Sequence, residues 1–165
     1  MATTYEKIAT TTLGSAGQIT FTSIPATYTD LRIVLVSKSV NNGANVQFRF
    51  NSDTGTNYSF SYIRGNGTSA NSYRESDTPY GYFSDDSSST NPNMGALDIF
   101  SYAGSTYKTA LGTFSNDQNG SGNVYATVNL WRSTSAITSV SLSPSNFGNN
   151  FQSGTTATLY GILKA

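Results

Sequence analysis

Residues 31–38, LRIVLVSK, constrain the fold more than any other stretch, because they read as the longest apolar strand in the chain. Leu31, Ile33 and Leu35 fall on one face, and Arg32, Val34, Val36 and Lys38 fall on the other. The result is a strand wet at both ends and dry in the middle. Just upstream, Pro25 fixes its own φ and removes a ladder donor, while Thr27, Thr29 and Asp30 carry oxygens that can bond nearby backbone N–H groups. Residues 21–38 therefore read as a strand end, a tight corner and a central strand.

The rest of the chain repeats this pattern. Residues 5–13 (YEKIATTTL) are β-branched and aromatic and predict a strand, at an edge because it lies near a terminus. The GSAG turn at residues 14–17 leads to residues 18–24, where Ile19 and Phe21 alternate with polar neighbours, and together these predict a hairpin. After the NNG turn at 41–43, Val46, Phe48 and Phe50 alternate with Gln47, Arg49 and Asn51. Tyr58, Phe60 and Tyr62 alternate in the same way before GNG at 65–67. Further strands are predicted at 94–102, 106–115, 124–132, 137–142 and 156–163, between turn-rich loops. In 124–132 two sets alternate, Val124, Ala126, Val128 and Leu130 against Tyr125, Thr127, Asn129 and Trp131.

Residues 68–93 break the rhythm with two prolines, many small polar residues and the aromatics Tyr73, Tyr80, Tyr82 and Phe83. Polar stretches of this length inside a compact domain are uncommon and often functional, so the sequence predicts a long loop and a contact surface here. No segment sustains a 3.6-residue period with caps, and no repeat recurs at a fixed spacing. About ten antiparallel strands with short links predict one all-β domain over residues 1–165. The expected architecture is a two-sheet β-sandwich of eight to ten strands, closed like a jelly roll.

Composition limits the chemistry. With 165 residues, no cysteine and no histidine, the chain has the length to bury a core, and it lacks thiolate and imidazole ligands and every nucleophile or base that depends on them. Nine Lys and Arg, spread singly, balance nine Asp and Glu, so no basic stripe exists to track phosphates and nucleic acid is not an expected partner. No apolar run approaches the roughly 20 residues of a membrane span, and the first residues lack the layout of a secretory signal. Synthesis in a cytoplasm is the expectation. Charged residues make up only 11% while aromatics reach 13%, a combination that favours packed strands with hydroxyl-covered faces over disorder.

Sites of reaction are scarce. A glycosidase needs two carboxyl groups across a bond, and Glu75 with Asp77 or Asp85 with Asp86 are the pairs available, but each reads first as solvated loop charge. Asp98, between Leu97 and Ile99, is expected to point to solvent by alternation. NSDTG at 51–55 and NDQNG at 116–120 space oxygen ligands ahead of a glycine, yet neither carries the downstream glutamate of a calcium loop. Sequons at Asn57, Asn66 and Asn119 read as turns. No enzyme activity, cofactor or metal is expected. Stacking of sugar faces on Tyr80, Tyr82 or Trp131 is the main binding alternative, although Trp131 reads better as a packing residue.

The stretches YEKIATTTL, FTSIPATYTDLRIVLVSKS, RFNSDTGTNYSFSYIRGNG, VNLWRSTSAITSVSLSPS and SGTTATLYGI resemble a group of small β-sandwich virion proteins of tailed bacteriophages. The resemblance runs from Tyr5 to Ile162 and is carried by packing and turn residues, with no catalytic motif. It implies a structural role on the particle, as a capsid decoration (cement) protein or as a tail-fibre or head-fibre domain. The sequence leans toward decoration, because the first strand begins near Tyr5 with no heptad before it and the neutral polar composition suits close packing of copies. Expected partners are the major capsid protein or another virion protein and further copies of the chain, with a trimer favoured. Host glycan is expected only for the fibre alternative, and Tyr73, Tyr80, Tyr82 and Phe83 are the candidate contacts.

Overall fold

The computed structural model describes residues 4–145 and 147–163, with the backbone alone for 85–87. Twelve strands follow one another: β1 (Tyr5–Thr12), β2 (Ile19–Phe21), β3 (Asp30–Ser37), β4 (Ala44–Phe50), β5 (Tyr58–Gly65), β6 (Ala70–Thr78), β7 (Gly81–Ser87), β8 (Asn93–Phe100), β9 (Lys108–Asp117), β10 (Gly122–Trp131), β11 (Val140–Pro144) and β12 (Thr156–Ile162). No helix occurs among the described residues. The strands form two antiparallel sheets, one of eight in the order β1-β12-β3-β8-β9-β10-β5-β6 and one of four in the order β2-β11-β4-β7.

These orders contain a jelly roll. Setting aside the hairpins β5–β6 and β9–β10, the remaining strands pair as β1-β12-β3-β8 and β2-β11-β4-β7, two four-stranded sheets between which the chain alternates except from β4 to β7, which share the narrow sheet. Both inserted hairpins add to the same sheet and double its width. The expected all-β sandwich is thus the observed one, with twelve strands instead of about ten.

Two expectations fail, for reasons of long-range pairing. β1 and β2 do not form a hairpin: β1 pairs with β12 and β2 with β11, so the GSAG bend carries the chain from one sheet to the other. As expected, β1 is an edge strand. The predicted loop at 68–93 holds β6 and β7. β6 is exposed along almost its whole length, since it is the last strand of the wide sheet, so its sequence needs no apolar alternation. Its ladder to β5 defines it instead.

The core lies between the sheets. Leu31, Ile33 and Leu35 of β3, Phe48 and Phe50 of β4, Leu97 and Ile99 of β8 and Leu159 of β12 are all buried there. Phe83 of β7 enters the wide sheet over two glycines. A Cβ on Gly95 would lie 3.1 Å from its ring and one on Gly112 3.2 Å, so the absence of side chains there makes room for the phenyl group. β7 is an edge of the narrow sheet, and a side chain takes up the free ladder groups of one of its residues. Asn129 of β10 accepts from Tyr82 N at 2.7 Å and donates to Tyr82 O at 2.9 Å, imitating a neighbouring strand at that point.

Candidate functional site

The four aromatic candidates do not form one exposed surface. Phe83 is fully enclosed in the core, and Tyr82 exposes 4% of its surface, so neither can meet a partner. The correction follows from β7 being a strand against the wide sheet and not part of a loop. Tyr82 stacks with Phe60 at 4.5 Å and with Tyr62 at 5.3 Å, bridging β7 and the β5–β6 hairpin. Tyr73 of β6 lies at the outer end of this row, 5.7 Å from Tyr62, and is 51% exposed. Tyr80 is half-buried, and its phenol pKa is raised by burial first and then by the charge of Glu75. Tyr73 and Tyr80, with Glu75 between them, form a small aromatic shelf where the wide sheet overhangs the narrow one. Trp131 is a packing residue, stacked on Tyr58 and edge-on to Phe50.

The oxygen-rich turns are consumed by structure. Asp53 accepts from Gly55 N at 2.8 Å, Asn57 Nδ2 at 2.9 Å and Trp131 Nε1 at 2.7 Å. Burial alone would raise its pKa, but these three bonds and the Arg49 charge outweigh that and hold it below the usual carboxylate range. Asn51 Oδ1 accepts from the backbone N–H groups of Thr138 and Ser139, pinning the β4 end to the approach of β11. At the second turn, Asp117 accepts from Asn119 N and Asn116 from Asn123 N, both at 2.8 Å. Asp53 with Gly55 and Asp117 with Asn119 are Asx turns, and the other bonds tie these turns to neighbouring segments.

Several other charges are engaged as well. Asp98 points outward, as alternation predicts, and pairs with Arg32 at 3.2 Å across β3 and β8. Asp77 pairs with Arg132 at 2.6 Å, away from Glu75, while the side chains of Asp85 and Asp86 lie outside the described residues. Lys108 is buried and donates to Gly104 O and Thr106 O, tying down the β8–β9 connection, and burial lowers its pKa. No cluster of three acidic side chains fit for a metal occurs among the described residues.

The largest unfinished surface is one that sequence reading missed. On the outer face of the wide sheet, Val34 and Val36 of β3, Met94 and Ala96 of β8, Leu111 of β9, Val124, Ala126 and Val128 of β10 and Ile63 of β5 lie in adjoining rows. Val124 is 65% exposed, Ile63 64% and Met94 57%. In β10 the inward set is Tyr125, Thr127, Asn129 and Trp131, and the aliphatic set faces out. A strand's two faces differ by a one-residue shift, and here the two large rings took the inner one. The usable sign was the presence of good core residues on both faces of β3 and β10. On one flank the face is bordered by a threonine ladder, with Thr10 bonded to Thr158 at 3.1 Å and Thr12 to Thr156 at 3.0 Å. On the other flank lie Ser61, Arg74 and Ser72 of the β5–β6 hairpin.

No family model, curated protein or solved structure matches this chain.

Proposed function

We propose that this protein is a virion structural component, a decoration (cement) protein that stabilises a phage head by protein–protein contacts. The observation that carries the reading is the outer face of the wide sheet: a broad, flat, uncharged apolar centre rimmed by hydroxyls, the anatomy of an adhesive surface. Two further features support it. The jelly-roll connectivity makes a two-sheet block, and the carboxylates Asp53, Asp77 and Asp98 are held in structural bonds. The resemblance of the sequence to small phage virion proteins supplies the setting, with the major capsid protein as the partner and the virion as the location. The test is to add purified protein to shells lacking it and to follow their resistance to heat and chelators. Saturable binding with raised resistance is expected, and no binding to shells would remove the decoration role.

One observation favours a second reading, a tail-fibre or receptor-binding module for host glycan. The half-exposed Tyr73 ring beside Tyr80 and Glu75 offers a flat apolar face next to a carboxylate, the pairing that sugar sites use. Under this reading purified protein binds host polysaccharide and Tyr73→Ala weakens that binding at least tenfold. Equal binding by Tyr73→Ala would remove the shelf from consideration.

A further inference from the structure

We propose that the outer face of the wide sheet is covered by a second copy of this chain, packed face to face about a two-fold axis. The inference rests on the reading of that face as adhesive; a face taken by a second copy is closed to a shell, so a head would be met by the other surfaces of the pair.

Area is the first argument. The exposed fractions of Val34, Val36, Met94, Leu111, Ile63, Val124 and Val128 correspond to on the order of 600 Å² of apolar side chain, at or above the largest patch that a typical monomer leaves open. With Ala126, Thr113 and the rim threonines the face approaches the roughly 800 Å² per partner of a stable pair. A surface of this size and character is costly to leave in water.

Charge and symmetry select the occupant. The centre of the face carries no charge; at its margin Arg32 and Asp98 neutralise each other, and Arg74 on the β5–β6 flank bonds to Ser61. A strongly charged partner would find only Arg74 to complement, whereas a second copy meets the apolar centre with its own. On the β1–β12 flank the rim threonines already bond to one another, Thr10 to Thr158 and Thr12 to Thr156. Because each chain offers one contiguous patch, the contact that satisfies it is isologous, the same patch on both sides, and a closed trimer would need two different patches. Twisted sheets pack face to face at about 10 Å with strands near −30°, the geometry of a sandwich interior. The pair would thus add a third apolar layer between two wide sheets.

Thr113 lies at the middle of the patch, between Ala96 and Ala126, and so close to the expected axis. The chain has no cysteine, so Thr113→Cys creates a single thiol. Sedimentation of the full chain over a concentration series should show a dimer, and Val128→Lys should weaken it by about a hundredfold or more with unchanged circular dichroism. Ser141→Lys, on the outer face of the narrow sheet, should leave it intact. A short bismaleimide should join Thr113→Cys chains in pairs, a readout that adds no charge and so covers the case in which Val128→Lys fails to fold. A monomer at all concentrations up to about 100 µM would overturn the proposal. So would an oligomer indifferent to Val128→Lys, or a trimer. Shell binding by a strictly monomeric protein would leave the decoration role standing and remove the dimer, and a dimer that ignores shells would do the reverse.

Discussion

The two outer faces of the sandwich are finished in opposite ways. On the narrow sheet the chain covers its own surface: Arg49 donates from Nε to Pro79 O at 2.9 Å and lies 4.0 Å over the Phe147 ring. Gln18 Nε2 donates to Phe147 O and Ser143 Oγ to Asn149 O, and Gln47 beneath is fully buried. On the wide sheet no segment crosses the rows from Val34 to Ile63, among the described residues, and valines, Met94 and Leu111 meet solvent directly. The comparison teaches where the adhesive chemistry lies. A polar face with loops folded over it is complete by itself, while an apolar face left bare needs something outside the chain.

The contrast holds only if both faces belong to one cooperative body, and the largest predicted effect tests that. Phe83 links β7 of the narrow sheet to the wide sheet over Gly95 and Gly112. Phe83→Ala should lower stability by about 3–5 kcal/mol. Unfolding in denaturant, followed by Trp131 fluorescence and by far-UV circular dichroism, should remain a single coincident transition. Two separate transitions would mean that the faces belong to independent units, and the comparison would lose its meaning.

Next in size is the tie between Asp53, at the end of the narrow sheet, and Trp131 of the wide one. Asp53→Asn should cost about 1.5–3 kcal/mol near neutral pH, as expected for hydrogen bonds to a charged acceptor. Because the native carboxyl is held below its ordinary pKa, its contribution is complete above about pH 4, where the unfolded chain is also ionised, and is lost as pH falls through the native value. Acid titration of stability should therefore be flatter in Asp53→Asn than in the parent. A parallel curve would show that the carboxylate does not link the sheets.

Tyr58 makes a second tie, accepting from Phe50 N at 2.9 Å across the sandwich. Burial raises its phenol pKa far above the ordinary value, so the folded protein keeps a proton that the unfolded chain releases near pH 10. That contribution is whole below about pH 10 and falls as pH rises beyond it. Lys108 acts in the opposite sense: burial lowers its pKa, and the unfolded chain holds the extra proton up to about pH 10.4, so stability rises with pH below that value. Tyr58→Phe should cost about 1 kcal/mol at pH 7 and remove much of the alkaline decline. An unchanged decline would assign it to other tyrosines.

How much of this was legible in the sequence depends on the range of the interaction that decides each feature. Alternation in residues 31–38 and 46–50 is local, and both β3 and β4 lie where it puts them. The turns at 51–55 and 116–120 are local in part: Asp53 accepts from Gly55 N and Asp117 from Asn119 N within them, whereas Asn51 reaches Thr138 N and, at the Pro25 corner, Asp30 accepts from Ser101 N far along the chain. Sheet membership is not local: nothing in residues 5–24 says that β1 meets β12 and β2 meets β11. β6 was hidden because an exposed edge strand has no apolar period to display. The outer face was hidden because Val124, Ala126, Val128 and Leu130 look like a core stripe when read alone. Only the rings of Tyr125 and Trp131, and the space that Gly112 and Asn129 leave for β7, decide which side of β10 turns inward.

The smallest predicted effects bear most directly on the two faces, and they are informative as a pair. Arg49→Ala removes the cation over Phe147 and the bond to Pro79 O, so it should cost about 1 kcal/mol in a monomeric state. Val124→Lys, on the open face, removes no contact that holds the monomer together, and should change monomer stability by less than about 0.5 kcal/mol. Denaturant midpoints measured at low concentration, where association does not contribute, give both values. Substitution on the covered face should thus appear in stability, and substitution on the bare face in association alone. If Val124→Lys proved the more destabilising of the two, the valine would be part of the fold's own packing, and the asymmetry between the faces would fall with it.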